Sequence, residues 1–107
     1  MVEIDDFLEE IEIEKQFKEA CDINIGSEIA GEIVKKIIDI VRFYESSDKK
    51  TVAYGFVPKL MNLESDIYEK YYKFFFKQNV SSFSIGRLIG DRIEFYINLI
   101  EENKMEK

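Results

Sequence analysis

Apolar side chains recur along this chain at intervals of three and four, and the segments that keep this rhythm longest predict helices. The most regular is 28–45. There Ala30, Ile33, Val34, Ile37, Ile38, Val41 and Tyr44 share one face. Glu32 and Lys36, four apart, predict a favourable pair on the opposite face. The many β-branched residues lower intrinsic helix propensity, so burial must hold this helix. Ile29 and Ile40 lie off the main stripe and predict cover on more than one side.

The second segment is 58–78. Leu60, Leu63, Ile67, Tyr71 and Phe74 fall on one line, Tyr68 and Phe75 widen it, and Tyr72 and Phe76 widen it further. The arc exceeds the stripe of somewhat over ~100° usual for a surface helix. Such a helix is central, or it keeps one side for a partner. Pro58 suits its first turn, where a missing N–H costs little.

The third segment is 83–102, with Ile85, Ile89, Ile93, Tyr96, Ile97 and Ile100 on one side. Gly86 and Gly90 lie inside it, each costing about 1 kcal/mol relative to alanine. They predict a close approach, here by the bulky side chains of 67–76, or else a bend or break.

A fourth, acidic helix is predicted over 5–20. Asp5 or Asp6 can cap it, and Asp6 with Glu9 has the reciprocal capping spacing. Ile4, Phe7, Leu8 and Ile11 form one stripe; near Glu12 the phase slips to Ile13, Phe17, Ala20 and Cys21. We expect an amphipathic helix packed at the bundle edge. Residues 22–27 read as a turn with Ser27 as the next cap, and 46–50 as a solvated loop. Residues 51–57 read as a short helix or irregular apolar linker, since no second strand is available to pair with them. Ser81, Ser82 and Ser84 are candidate caps for the last helix, and 103–107 form a polar tail that frays. The expected fold is an all-α, single-domain helical bundle of four to five helices over 1–107.

Composition narrows the chemistry. The chain is 107 residues long, 46% hydrophobic and 35% charged, which suits helices with solvated faces. No apolar run has membrane length and no targeting segment is evident, so we expect a soluble, cytoplasmic protein with no membrane association. The single Cys21 reads as a small buried hydrophobe. With no histidine, the Ser-His-Asp and Cys-His arrangements and His-ligated zinc are excluded. No phosphate-binding or dinucleotide motif is present. We expect no cofactor, no metal and no catalysis.

Charge is uneven. The net is −7, and residues 1–20 contribute −6 through eight acids and two lysines. Asp5, Asp6, Glu9, Glu10, Glu12 and Glu14 are therefore a candidate acidic face for docking on a basic partner. One form of that reading is an inhibitor that occupies a basic, nucleic-acid-binding surface.

The stretch SIGRLIGDRIEFYINLIEEN resembles a helix-turn-helix in its spacing. Gly86 and Gly90 stand at the small-residue and turn-glycine positions, and Ile85, Ile89, Tyr96 and Leu99 at apolar ones. The resemblance implies DNA recognition, with Arg87 and Arg92 as contacts. It departs at Asp91, where an apolar residue is usual, and Arg92 is the only base on the second helix. Affinity for DNA comes largely from neutralised phosphates, so an acidic chain makes nucleic acid an unexpected partner. The favoured expectation is a small acidic helical adaptor or subunit that works through protein–protein contact and forms homo-oligomers. Its candidate seam is Tyr72, Phe76, Phe95 and Leu99, apolar side chains off the main core lines.

Overall fold

Two polar–apolar junctions decide where the first helix starts and stops. In a computed structural model, which describes residues 3–46 and 61–105, α1 spans Asp6–Cys21. The Asp5 carboxylate accepts from the N–H groups of Phe7 and Leu8 at 3.1 and 3.2 Å and caps it. At the other end Asp22 adopts φ 56° and donates its N–H to the Lys18 carbonyl at 3.0 Å. The turn that follows is not merely polar punctuation: Ile23 and Ile25 are both buried in it.

Helix α2 (Gly26–Ser46) begins at Gly26, whose φ of 81° suits a residue without a Cβ. It starts ahead of Ser27, the cap read from the sequence. Ala30, Ile33, Val34, Ile37 and Val41 are buried as the periodicity predicts, and so are Ile29 and Ile40. α1 and α5 both pack against this helix, which is the cover on two sides that those off-stripe isoleucines required.

The aromatic segment forms two helices, α3 over 61–70 and α4 at Tyr72–Lys77, in place of one continuous helix. The interruption is Tyr71, with φ −115° and ψ 28°. A ring stack spans it: Tyr68 lies parallel to Phe75 at 6.3 Å and meets Tyr72 edge-on at 5.5 Å. Phe75, not Phe74, is the side chain fully buried past the break. Beyond the end of α4 the chain closes at Asn79 (φ 61°), with Asn79 N–H bonded to Phe76 O at 3.1 Å and Val80 N–H to Phe75 O at 2.9 Å. This paired closure satisfies carbonyls that the last turn would leave open.

Helix α5 (Ser82–Met105) is continuous. Ser81 is its cap, accepting from the Ser84 N–H at 3.2 Å. The helix carries on past 102 to Met105. Ile85, Ile89, Ile93, Tyr96 and Ile100 are buried against the rest. The glycines serve a different end from the one expected. A Cβ at Gly86 would meet the carboxylate of Glu64 on α3, and one at Gly90 would meet nothing within 4 Å. Neither glycine makes room for the aromatic cluster. A shallow cavity of about 110 Å³ opens beside them, lined in part by Met61 and Ile89.

The molecule is an all-α bundle in one globule, with no strand among the described residues. Ring contact between Phe17 and Phe75 (6.3 Å) ties α1 to α4. Lys70 to Glu32 at 2.9 Å and Lys36 to Asp66 at 3.6 Å tie α3 to α2. The expected Glu32–Lys36 pair is replaced by these two, because α3 brings an opposite charge to each. The Lys70 ammonium accordingly holds the Glu32 carboxyl below its usual range. The expectations for 47–60, including the linker at 51–57 and the role of Pro58, lie outside the described residues.

Candidate functional site

The buried face of α1 is not the one its first apolar stripe suggests. Glu9, Ile13 and Phe17 point inward. Phe7, Leu8 and Ile11 point out, 69%, 61% and 46% exposed. The helix does not bend to bring both stripes inside; the inward face continues the register of Ile13 and Phe17 back to a carboxylate.

That carboxylate has a specific partner. Both Glu9 oxygens accept from the Arg92 guanidinium of α5, through Nε and Nη2. The Glu9 side chain is 4% exposed and that of Arg92 16%. Arg92 also lies over two rings, 4.5 Å from the Phe95 centroid and 5.2 Å from that of Tyr96. Its hydrogen bonds to Glu9 raise the guanidinium pKa further above its already high value. Burial, with the Glu9 carboxylate nearby, pushes the Tyr96 hydroxyl up to about 12. A buried charge needs a paired, hydrogen-bonded partner, and the bidentate geometry supplies it. This is a structural clamp between the first helix and the last.

Two expectations are corrected here. Glu9 is not part of an exposed docking face, nor does it close a capping box with Asp6. Arg92 is not free to contact DNA, because its charge is spent on Glu9. α5 makes no turn at Gly90, so the second helix of the helix-turn-helix resemblance is not formed. Arg87 is exposed but stands on the first turns of a long helix without that partner.

Of the remaining acidic residues, Asp5 caps α1, Asp6 is exposed, and Glu10, Glu12 and Glu14 are half-exposed. Among the described residues no salt bridge engages Asp6, Glu10, Glu12 or Glu14. The candidate seam divides into two sets. Tyr72 and Phe76 are exposed and stack at 5.5 Å on α4. Phe95 is exposed but sits under Arg92 and edge-on to Tyr96 at 5.3 Å. No ring contact among the described residues joins the two sets. Leu99 is half-buried against the core and contributes little free surface.

Other features are structural. Cys21 is half-buried and free, packed on the core. The Tyr44 hydroxyl donates to Glu101, which pushes its pKa up to about 12 and pins the end of α2 to α5. Among the described residues no group of acids and cysteine is placed to hold a metal ion, and no helix is long and apolar enough to cross a membrane. The exposed stripe of Phe7, Leu8 and Ile11 is what sequence reasoning missed, because its spacing is that of a buried face. The chain matches no protein-family model, no curated protein and no solved structure. Fold and surface together define an acidic α-helical bundle with exposed aromatic and aliphatic side chains among the described residues.

Proposed function

We propose that this protein is a non-catalytic protein–protein interaction module, a small acidic subunit of a larger assembly that also self-associates, working in the cytoplasm. The observation that carries this reading is the stacked Tyr72–Phe76 pair, 47% and 67% exposed on a short helix that is anchored to the core by the fully buried Phe75. Large aromatic side chains that face water in a packed bundle mark contact surfaces, since aromatics are enriched at interface cores. Two copies meeting across this pair form a self-complementary contact, the commonest kind in symmetric dimers. Catalysis draws no support from the tyrosines with raised pKa. Each is engaged by a structural partner, Tyr96 beside Glu9 and Tyr44 with Glu101.

Sedimentation velocity at tens of micromolar tests the reading on the wild type and on Phe76→Glu. The expected result is a wild-type dimer that the variant converts to monomer. A clean wild-type monomer refutes self-association. A dimer indifferent to Phe76→Glu places the seam elsewhere. Phe76 is exposed, and circular dichroism checks that the variant keeps its helix content.

A further inference from the structure

From the outward face of α1 we infer a second docking surface, for a protein partner that presents an apolar groove with basic residues along both borders. It deepens the reading above by stating the chemistry of a partner, and it rests on the chain being an interaction module, but it does not need self-association.

Three observations combine. First, Phe7, Leu8 and Ile11 are exposed on a helix whose other face is firmly anchored by Ile13, Phe17 and the Glu9–Arg92 pair. The stripe is therefore held outward on a rigid support and cannot turn in to be buried. Second, at 100° per residue, Phe7 and Ile11 form the centre line and Leu8 lies beside them. On one border the same geometry places Glu10 and Glu14 and on the other Glu12, while Lys15 falls between the lines of Ile11 and Leu8 and Lys18 closes the stripe at its C-terminal end. Third, the segment 1–20 has a net charge of −6, and with Glu9 neutralised by Arg92 it still carries a large excess of acids. An amphipathic helix that lays an apolar line into a groove is a recurring mode of recognition, read as anchors at i and i+4.

The charge decides the occupant. A second copy of α1 would set two strongly acidic borders against each other, and like charges across an interface are penalised. Anionic lipid and nucleic acid are repelled for the same reason. A groove lined with aliphatic side chains and edged by lysine or arginine matches both the centre and the borders. It also gains faster association through long-range attraction, which salt screens.

The probe is a synthetic helical peptide with leucine along one face and lysine on both borders. Its control replaces every lysine by glutamate. Binding to the full-length, isotope-labelled chain is followed by amide chemical shifts, which give affinity and location together. We expect shifts concentrated in residues 4–15 with the lysine peptide, weaker binding as salt rises, and no binding of the glutamate peptide. The double substitution Phe7→Ser with Ile11→Ser should weaken binding at least tenfold, about 1.4 kcal/mol. Phe76→Glu should leave it unchanged. Circular dichroism checks that the double variant keeps its helix content, as exposed positions allow. The inference is overturned if the glutamate peptide binds equally well, if the double variant binds as tightly as wild type, or if the shifts map away from α1. It is also overturned if sedimentation shows a dimer that the Phe7/Ile11 variant dissociates, because the occupant is then a second copy. A dimer lost on Phe76→Glu but kept in the Phe7/Ile11 variant leaves the two surfaces independent. Self-association can thus fail while this inference stands, and the reverse.

Discussion

Replacing Arg92 by alanine would leave the Glu9 carboxylate with no counter-charge at a site where its side chain is 4% exposed. Breaking a buried pair from one side costs ~3–5 kcal/mol, because the remaining charge is neither paired nor hydrated. Arg92→Ala also loses the stacking of the guanidinium on Phe95 and Tyr96, so the upper part of that range applies. Glu9→Ala is the milder change. The orphaned guanidinium keeps both rings and, at 16% exposure, reaches water; we expect about 2–3 kcal/mol, below the same range. A bundle of this length has a total stability of about 5–15 kcal/mol, so either loss is a large fraction of the whole. Glu9→Leu combined with Arg92→Met fills the same space with apolar atoms and should recover most of the stability, as apolar replacement of buried pairs often does. Urea denaturation followed by circular dichroism on the wild type, the two single variants Glu9→Leu and Arg92→Met, and their double gives the coupling energy directly. Amide exchange adds location, since the single variants should expose the first turns of α1 before the rest. If the single variants cost less than about 0.5 kcal/mol, or if their effects simply add in the double, the clamp reasoning is refuted.

Two further outcomes follow from the same packing. Gly90→Ala places a methyl group in open space on a helix and should raise stability by up to ~1 kcal/mol, read as a higher melting temperature; Gly86→Ala gains less, because the new Cβ must displace the Glu64 carboxylate, and an equal gain at both sites refutes this. The raised pKa values of Tyr96 and Tyr44, about 12 against an ordinary 10, mean that the folded chain holds protons which the unfolded chain has lost. Their contribution is therefore complete below pH 10 and is lost as pH rises towards 12; melting temperature should fall across that window, and the phenolate absorbance of Tyr44 and Tyr96, assigned with Tyr→Phe variants, should appear late. Ionisation of Tyr44 and Tyr96 near pH 10 in the folded chain would contradict it.

The all-α architecture and the central helix are readable from periodicity. In α2 every position on the 3.6-residue stripe is at least half-buried, and even Ile29 and Ile40 announce a second covering surface by being too apolar for water. Asp5, Ser81 and Asn79 are local chemistry, and each acts within three or four residues of itself as a cap or a turn. What the pattern could not supply is any decision that depends on a residue far along the chain. Phe7, Leu8 and Ile11 have the spacing of a buried stripe, yet α1 buries Glu9 instead, because a guanidinium 83 positions away meets it. Without Arg92 that orientation would strand a charge; with it, the carboxylate goes in and the apolar stripe comes out. The same holds for Glu32 and Lys36, which find α3 rather than each other, and for Phe75, which is fully buried while Phe74 is only half-buried against the core. Amphipathic spacing determines that a face will exist. Which face meets the interior is settled by the sum of all contacts across helices, and on α1 that sum joins the Glu9–Arg92 pair to the burial of Ile13 and Phe17.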